Sequence, residues 1–409
     1  MHLSLSMIVR NEAERLERCL ASVADFVDEM VLLDTGSSDA TVAIAERCGA
    51  TVHHLPWPGD FAPARNAALD LVRGDWVLVL DADELLRQEA RAPLRKLMER
   101  PDLLVVNLLR LEQGARQSPY SRVSRLFRRH PEIHWSRPYH SMIDDSVLAL
   151  LEREPGWAVA DCPVPALDHE GYRPELLAAG DKAVRLRQAM ESDLARHPGD
   201  PYVCAKLGSL EVSEGRLNRG LQLLRTGLRH CRPEAVPERY ELLLNLGLAE
   251  ARRSPRQAAE HYRQALELPL EPRVTLAARL NLAALLQENA ADLPAGPRGG
   301  APLEEAVQLC RDACAAAPEL SLTWAALGQA ERRRGQPQAA IAAYRQAIAR
   351  DPGQPELHQN LAAASLLTGD ILSAREGFQR AITLLQQRGQ AAAAAELRSR
   401  VSPLVTLDP

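Results

Sequence analysis

Between residues 1 and 80, short apolar runs alternate with apolar positions at helical spacing. "LSLSMIV", "EMVLLD", "ATVHHL" and "WVLVLD" read as buried strands, while Leu16, Cys19, Leu20 and Val23, then Ala64, Ala67, Ala68 and Leu71, mark helix faces between them. Strands alternating with helices predict an α/β domain built on a parallel sheet with right-handed crossovers. Ligands of such sheets bind beyond the carboxyl ends of the strands. The polar clusters fall there: "RNE" after the first run, "DTGSSD" after the second and "DADE" after the fourth. Residues 100 to 172 are less regular, with "SRVSRLFRRH", "HWSRPYHSMIDD" and "DHEGYR", a mixed segment suited to completing the sheet and roofing a site.

From about residue 174 the chain is helical, and it repeats. Trp324, Leu327, Gly328, Gly335, Ala340, Tyr344 and Ala347 recur at a constant interval as His358, Leu361, Ala362, Gly369, Ala374, Phe378 and Ala381, and Pro318 and Pro352 are separated by the same interval. The spacing, about 34 residues, and the residue order are those of a tetratricopeptide repeat, in which small residues let two helices approach and an aromatic fills the groove. Leu207 with Gly208, Leu246 with Gly247, and Leu282 with Ala283 extend the pattern backward to about five repeats. The predicted organisation is a Rossmann-like α/β domain over 1–175 and an all-α repeat solenoid over 176–400, with an exposed Pro- and Gly-rich insertion near 289–302. Such an array presents a concave surface to a peptide or protein.

A net charge of -5, from 49 basic and 54 acidic residues, argues against a general polyanion binder, so nucleic acid is not an expected partner. Seven cysteines without a Cys-x-x-Cys pair suit reduced thiols, and Cys310 falls at an aromatic core position of the repeat. The start "MHLSLSMIVRNE" does not read as a signal peptide and no stretch reads as a spanning helix; the expectation is a soluble, cytoplasmic protein.

"DTGSSD" matches the catalytic loop of an aspartic protease, but that chemistry needs two facing aspartates and the chain has only one such loop. Asp34, before the glycine turn, is instead placed to hydrogen-bond a nucleobase or ribose, while Ser37 or Asp39 caps the helix that follows. Asp81 and Asp83, at i and i+2 where a strand runs out, point the same way and can share a divalent ion that bridges to phosphates. Arg65 and Asn66 lie together on a helix face, either solvated or aimed at a nucleotide. His134, His140 and His169 cluster in the irregular segment as possible metal ligands, whereas His53 and His54 suit packing.

"SMIVRNEAERLERCLASV", "VDEMVLLDTGSSDAT", "DFAPARNAAL" and "GDWVLVLDADE" resemble, in order and spacing, the N-terminal part of family 2 glycosyltransferases of GT-A fold. "RLFRRHPEIHWSRPYHSMI" and "DHEGY" are similar to the bacterial subgroup fused to tetratricopeptide repeats, which includes the sublancin-type peptide S-glycosyltransferases. The resemblance implies an inverting transfer of a sugar from a nucleotide-diphosphate donor, with UDP-sugar the first expectation. It implies that Asn11, Glu12, Asp34, Gly36, Asp39, Arg65 and Asn66 hold the nucleotide. Asp81 and Asp83, with His140 and His169, would hold Mn2+ or Mg2+. Its partners would be a nucleotide sugar and a peptide or protein acceptor on the repeats, with a homodimer through the repeats. Catalytic roles would fall to Asp83 and to a base for which Glu170, Asp144 and Asp145 stand as alternatives. The subgroup often carries His-Glu where this chain has His140 followed by Ser141. Two other readings are an interaction scaffold with a degenerate nucleotide-binding domain and a phosphohydrolase. The latter places its Asp-x-Asp after the first strand, not the fourth.

Overall fold

The computed structural model describes residues 1–115, 119–137, 141–170, 182–293 and 301–407; His140 and the insertion residues 294–300 lie outside them. Backbone contacts divide the chain into two compact units, Met1–Glu211 and Val212–Pro409.

The first unit is built on an eight-stranded sheet: β1 (Leu3–Val9), β2 (Glu29–Asp34), β3 (Thr51–His54), β4 (Trp76–Val79), β5 (Glu84–Leu86), β6 (Leu103–Glu112), β7 (Tyr120–Arg128) and β8 (Ala158–His169). Their spatial order is β3-β2-β1-β4-β7-β6-β8-β5. The first four strands are mutually parallel, as their alternation with helices predicts. β7 runs antiparallel to both β4 and β6, and β8 lies parallel to β6. Two reversals return β6 and β8 to the direction of β4, so β1 to β4, β6 and β8 all open their carboxyl ends on one edge. The chain reverses its winding between β1 and β4, the kind of crevice where such sheets bind ligands.

Every residue of β4 is buried, as a central strand covered on both faces requires. One face packs against α1 (Leu16–Ala21), α2 (Thr41–Arg47) and α4 (Gln88–Met98) through Leu20, Ile44 and Leu94. The other packs against α3 (Phe61–Leu69) and α5 (Asp144–Arg153) through Ala62, Val147 and Leu150. Helices α6 (Lys182–Arg196) and α7 (Pro201–Ser213) follow.

The second unit is a succession of helices, among them Val236–Glu250 with Pro255–Leu266, Ser321–Arg333 with Pro337–Arg350, and Pro355–Leu367 with Ile371–Gln387. The repeated positions do repeated work. Trp324 donates its indole N–H to the Pro318 carbonyl at 3.0 Å, and at the matching position of the next repeat His358 uses its Nε2 on the Pro352 carbonyl at 2.9 Å. A Cβ on Gly247 would lie 2.4 Å from the Tyr262 ring, and one on Gly328 would lie 2.6 Å from the Tyr344 ring. In the last pair the arrangement inverts: Ala362 takes the glycine's place, and a Cβ on Gly377 opposite would meet it at 2.9 Å. Buried glutamates are met by an arginine of another helix, Glu250 by Arg225 and Glu331 by Arg311. No helix among the described residues is long and apolar enough to cross a membrane.

Gly328→Val drives two methyl groups into the fully buried Tyr344 and is expected to destabilise the second unit by about 1–3 kcal/mol. A urea midpoint equal to that of the wild type would contradict this packing.

Candidate active site

The turns after β1 and β2 are laced together. Asn11, at φ +55°, donates its N–H to Ser37 Oγ at 3.0 Å and accepts the Ser38 N–H on Oδ1 at 2.8 Å. Glu12 N–H donates to Thr41 Oγ1, and Asp39 accepts the N–H groups of Ala13 and Thr41. Asp39 therefore braces the start of α2 and the neighbouring turn together. Asp34 is buried, and its carboxylate accepts the Gly36 and Ser37 N–H groups at 3.1–3.2 Å, with His54 Nδ1 3.5 Å away. The turn needs φ +104° at Gly36, which a side chain would resist. Burial pushes the Asp34 carboxyl up, but the Ser37, Gly36 and His54 donors more than offset it, and the group stays ionised below the usual carboxylate range.

After β4, Asp81 is gripped from both sides. Its Oδ1 accepts from Arg65 Nη2 at 2.7 Å and its Oδ2 from Arg125 Nη2 at 2.8 Å. Both arginines are buried, at 7% and 9% exposure, so Arg65 is not a solvated side chain. Their guanidiniums lie 4.7 and 5.9 Å from the Trp135 ring centroid. Asn66 holds that tryptophan in place, accepting its N–H at 2.7 Å and donating to its carbonyl at 3.0 Å. Burial would raise the Asp81 carboxyl, but Arg125 and Arg65 hold it far below the usual range. Among the described residues, Nε and Nη1 of Arg65 and Nη1 of Arg125 make no hydrogen bond. These nitrogens are covered from solvent, and Arg125 Nη1 lies 4.0 Å from Glu84 Oε2, so the two guanidiniums give the strand end buried positive charge.

Asp83 faces a different partner. His169 Nε2 lies 3.3 Å from Asp83 Oδ2, and His169 Nδ1 bonds Glu112 Oε2. The sheet register places His169 opposite Glu84 on β5 and opposite Glu112 on β6. Arg110 joins Glu84 at 2.6 Å to Glu112 at 2.9 Å. Burial would lower the His169 imidazole, but Asp83 and Glu112 raise it to about 9. Burial would raise Asp83, but the His169 proton holds it low. Asp83 and His169 form a pair that suits a divalent ion, with Glu112 on the ring's other nitrogen as metal-bound histidines have. The described residues contain no group of three such ligands. Both oxygens of Asp81 are already committed to guanidiniums, and His140 lies outside the described residues. Glu12 pairs with Arg15 at 2.6 Å, and burial, with Asp83 and Asp81 nearby, raises its carboxyl.

Residues 4–156 match the model of glycosyl transferase family 2, and residues 321–364 match a tetratricopeptide repeat. A TPR repeat-containing protein of Synechococcus elongatus is 45% identical across 94% of this chain and 93% of its own length. An uncharacterized glycosyltransferase of Rickettsia felis is 44% identical over 21% of this chain and 30% of that protein. Glycosyltransferase SunS of Bacillus phage SPbeta is 33% identical over 23% of each, so these two matches span less than a third of either chain. The chain belongs to the family 2 glycosyltransferases fused to tetratricopeptide repeats.

In this glycosyltransferase the three carboxylates considered as a base differ sharply in their surroundings. Glu170 is buried and bidentate on Arg18, at 2.9 and 3.4 Å. Asp145 takes Ser136 Oγ and Arg137. Asp144, in the first turn of α5, accepts the Ser124 hydroxyl at 3.0 Å, and burial raises its carboxyl. His134 is exposed, its Nδ1 on the Glu132 carbonyl at 3.0 Å. Sequence reasoning missed Glu112, Arg125 and Trp135. Arg125 stood in a recognised arginine-rich stretch with nothing to single it out, and Glu112 is marked only by strand register.

Because His169 is raised above its ordinary value of about 6.5, its ion pairs stabilise the fold fully below that pH and are lost as pH rises through about 9. In chelator-treated protein, Glu112→Gln is expected to flatten this alkaline loss, measured as thermal stability between pH 6 and 10. An unchanged profile would remove Glu112 from the pair.

Proposed function

We propose that this enzyme transfers a sugar, with inversion, from a UDP-sugar to a peptide or protein acceptor presented by its repeats, using Mn2+ or Mg2+. The observation that carries the reading is the Asp83–His169 pair beside an arginine-bound Asp81 on the same sheet edge. The pair offers an oxygen and a nitrogen to a cation, and the two buried guanidiniums give that edge positive charge.

The laced turns carrying Asp34 and Asp39 hold the nucleoside, and Arg65 and Arg125, fixed on Asp81, give the diphosphate side its positive charge. Asp83 and His169 would hold a divalent ion, which would supply Lewis-acid neutralisation of the leaving diphosphate. Asp144 is the base. Its carboxylate takes the proton of the acceptor nucleophile as that atom bonds the anomeric carbon and the bond to the diphosphate oxygen breaks. Glu170 is held as an ion pair by Arg18, which leaves it an architectural role. Seven free cysteines, six of them buried, fit a cytoplasmic setting. Exposed Leu367, Ile371 and Leu372 are the surface that a repeat-mediated homodimer would cover.

A panel of nucleotide sugars incubated with the protein in Mn2+, Mg2+ or chelator tests the reading. Metal-dependent release of UDP from one donor is expected; release undiminished by chelator would sink the metal role. Asp144→Asn is expected to lower turnover by about 10²–10⁴-fold while UDP binding persists. Wild-type turnover in this variant would move the base elsewhere.

A further inference from the structure

Arg137 is one of two non-glycine residues with positive φ among those described, at +72°, a conformation that a residue with a Cβ seldom adopts. What holds it there is a set of carboxylates on three different elements. Its Nε lies 3.0 Å from Asp145 Oδ2 in the first turn of α5. Its Nη1 lies 2.9 Å from Asp200 Oδ2 and 3.8 Å from Asp193 Oδ2, on the α7 and α6 sides. The guanidinium also stands 5.5 Å from the Tyr202 ring.

These acids occupy particular positions in the repeat. Residues 195–208, "ARHPGDPYVCAKLG", run parallel to residues 349–362, "ARDPGQPELHQNLA", which join two repeats. In that register α6 is the second helix of a repeat, with fully buried Met190 at the position of Tyr344 and Asp193 at that of Ala347. Ala265, Ala313, Ala347 and Ala381 fill this position in four repeats, all fully buried, and buried Gly227 fills it in another. Asp193 is 3% exposed, and its Oδ2 makes no hydrogen bond among the described residues. A buried acid at a position that other repeats fill with a small residue needs polar partners: His197 Nδ1 and Arg196 Nη2 lie 3.1 and 3.5 Å from its Oδ1, and Arg137 Nη1 lies 3.8 Å from its Oδ2. Asp200 has a second duty as well: its Oδ1 accepts the Val203 N–H at 2.9 Å, capping α7.

The near side of the same joint is equally built. Ser136 and Met142 exchange backbone hydrogen bonds at 2.8 and 3.1 Å, closing the neck of the segment that contains Arg137. Two residues before Arg137, Trp135 lies under Arg65 and Arg125. Asp145, which Arg137 grips, adjoins Asp144.

We propose that Arg137 is a positioning residue: through Asp145, Asp193 and Asp200 it locks the Asp144-bearing turn of α5 to the first repeat-like helices, and so sets the base against the acceptor. This rests on the reading of Asp144 as the base. Donor binding should be spared, because Trp135 has its own anchor in Asn66.

The test compares wild type with Arg137→Gly, which relieves the positive φ while deleting the guanidinium, Arg137→Lys, and Asp193→Ala, which installs the residue that four of the other repeats carry. Hydrolysis of the nucleotide sugar that the wild type turns over fastest gives kcat and KM. Hydrogen exchange of the full-length chain gives the second readout. Arg137→Gly is expected to lower kcat by about tenfold or more, with donor KM within about twofold, and to speed exchange in segment 133–137 and in α6 together. Arg137→Lys should recover part of kcat. Wild-type kcat in Arg137→Gly, or faster exchange confined to 133–137, overturns the proposal. Should Arg137→Gly fail to fold, Asp193→Ala carries the same two criteria. A wild type that neither binds UDP nor hydrolyses any donor overturns the proposed function instead. Arg137 is then judged on exchange alone, where joint loosening supports the lock and confined loosening removes it.

Discussion

A half-buried carboxylate held between two buried guanidiniums organises this molecule. Asp81 follows β4, Arg65 comes from α3 and Arg125 from β7, so the knot exists only once the sheet has brought three separate segments together. Removing such charges from water is expensive, and the attraction offsets the cost only where geometry is good and remaining donors find partners. Here some donors do not. The fold thus carries buried, partly satisfied positive charge beside a strand end, stiffened by Trp135 and by the Asn66 amide that mimics a backbone partner for it.

From that knot the charges alternate outward along the sheet edge. Glu84 meets Arg110, Arg110 meets Glu112, Glu112 meets His169 and His169 meets Asp83, with Arg15 4.0 Å beyond. Alternation lets many ionised groups share a small volume, because each neutralises its neighbours. It also defines where a cation can enter: between Asp83 and His169, in competition with the imidazole proton. The laced turns after β1 and β2 solve a different problem. They use side-chain oxygens to satisfy backbone N–H groups, which fixes two loops against each other without hydrophobic burial.

The repeats follow a simpler packing rule. In three of the helix pairs a tyrosine or phenylalanine fills the groove and a glycine or alanine makes room for it, and the loops before the last two of these pairs are tied by an indole or imidazole to a proline carbonyl. Departures from this scheme stand out. Asp193 in place of an alanine is one: Arg196 of its own helix lies 3.5 Å from its Oδ1, and Arg137, from the sheet side of the chain, lies 3.8 Å from its Oδ2.

Local pattern was enough for much of this. Apolar runs separated by helical spacing determined the parallel strands β1 to β4, because continuous burial and crossover connection leave few other arrangements, and the constant interval between matching small and aromatic positions determined the helical array. Pattern also marked the strand ends where Asp34, Asp81 and Asp83 gather, since polar clusters directly after buried strands have nowhere else to lie. What only tertiary structure decided is which charge meets which. Glu112 and His169 stand 57 residues apart in sequence and become neighbours through the register of β6 and β8. Arg65 and Arg125 converge on Asp81 by the same route. Ion pairing depends on distances of a few ångströms set by long-range strand order, and no local periodicity encodes those distances. Arg137 shows the limit most plainly: its positive φ and its three carboxylate partners follow from the packing of α5, α6 and α7, while its sequence neighbourhood reads only as an irregular, polar stretch.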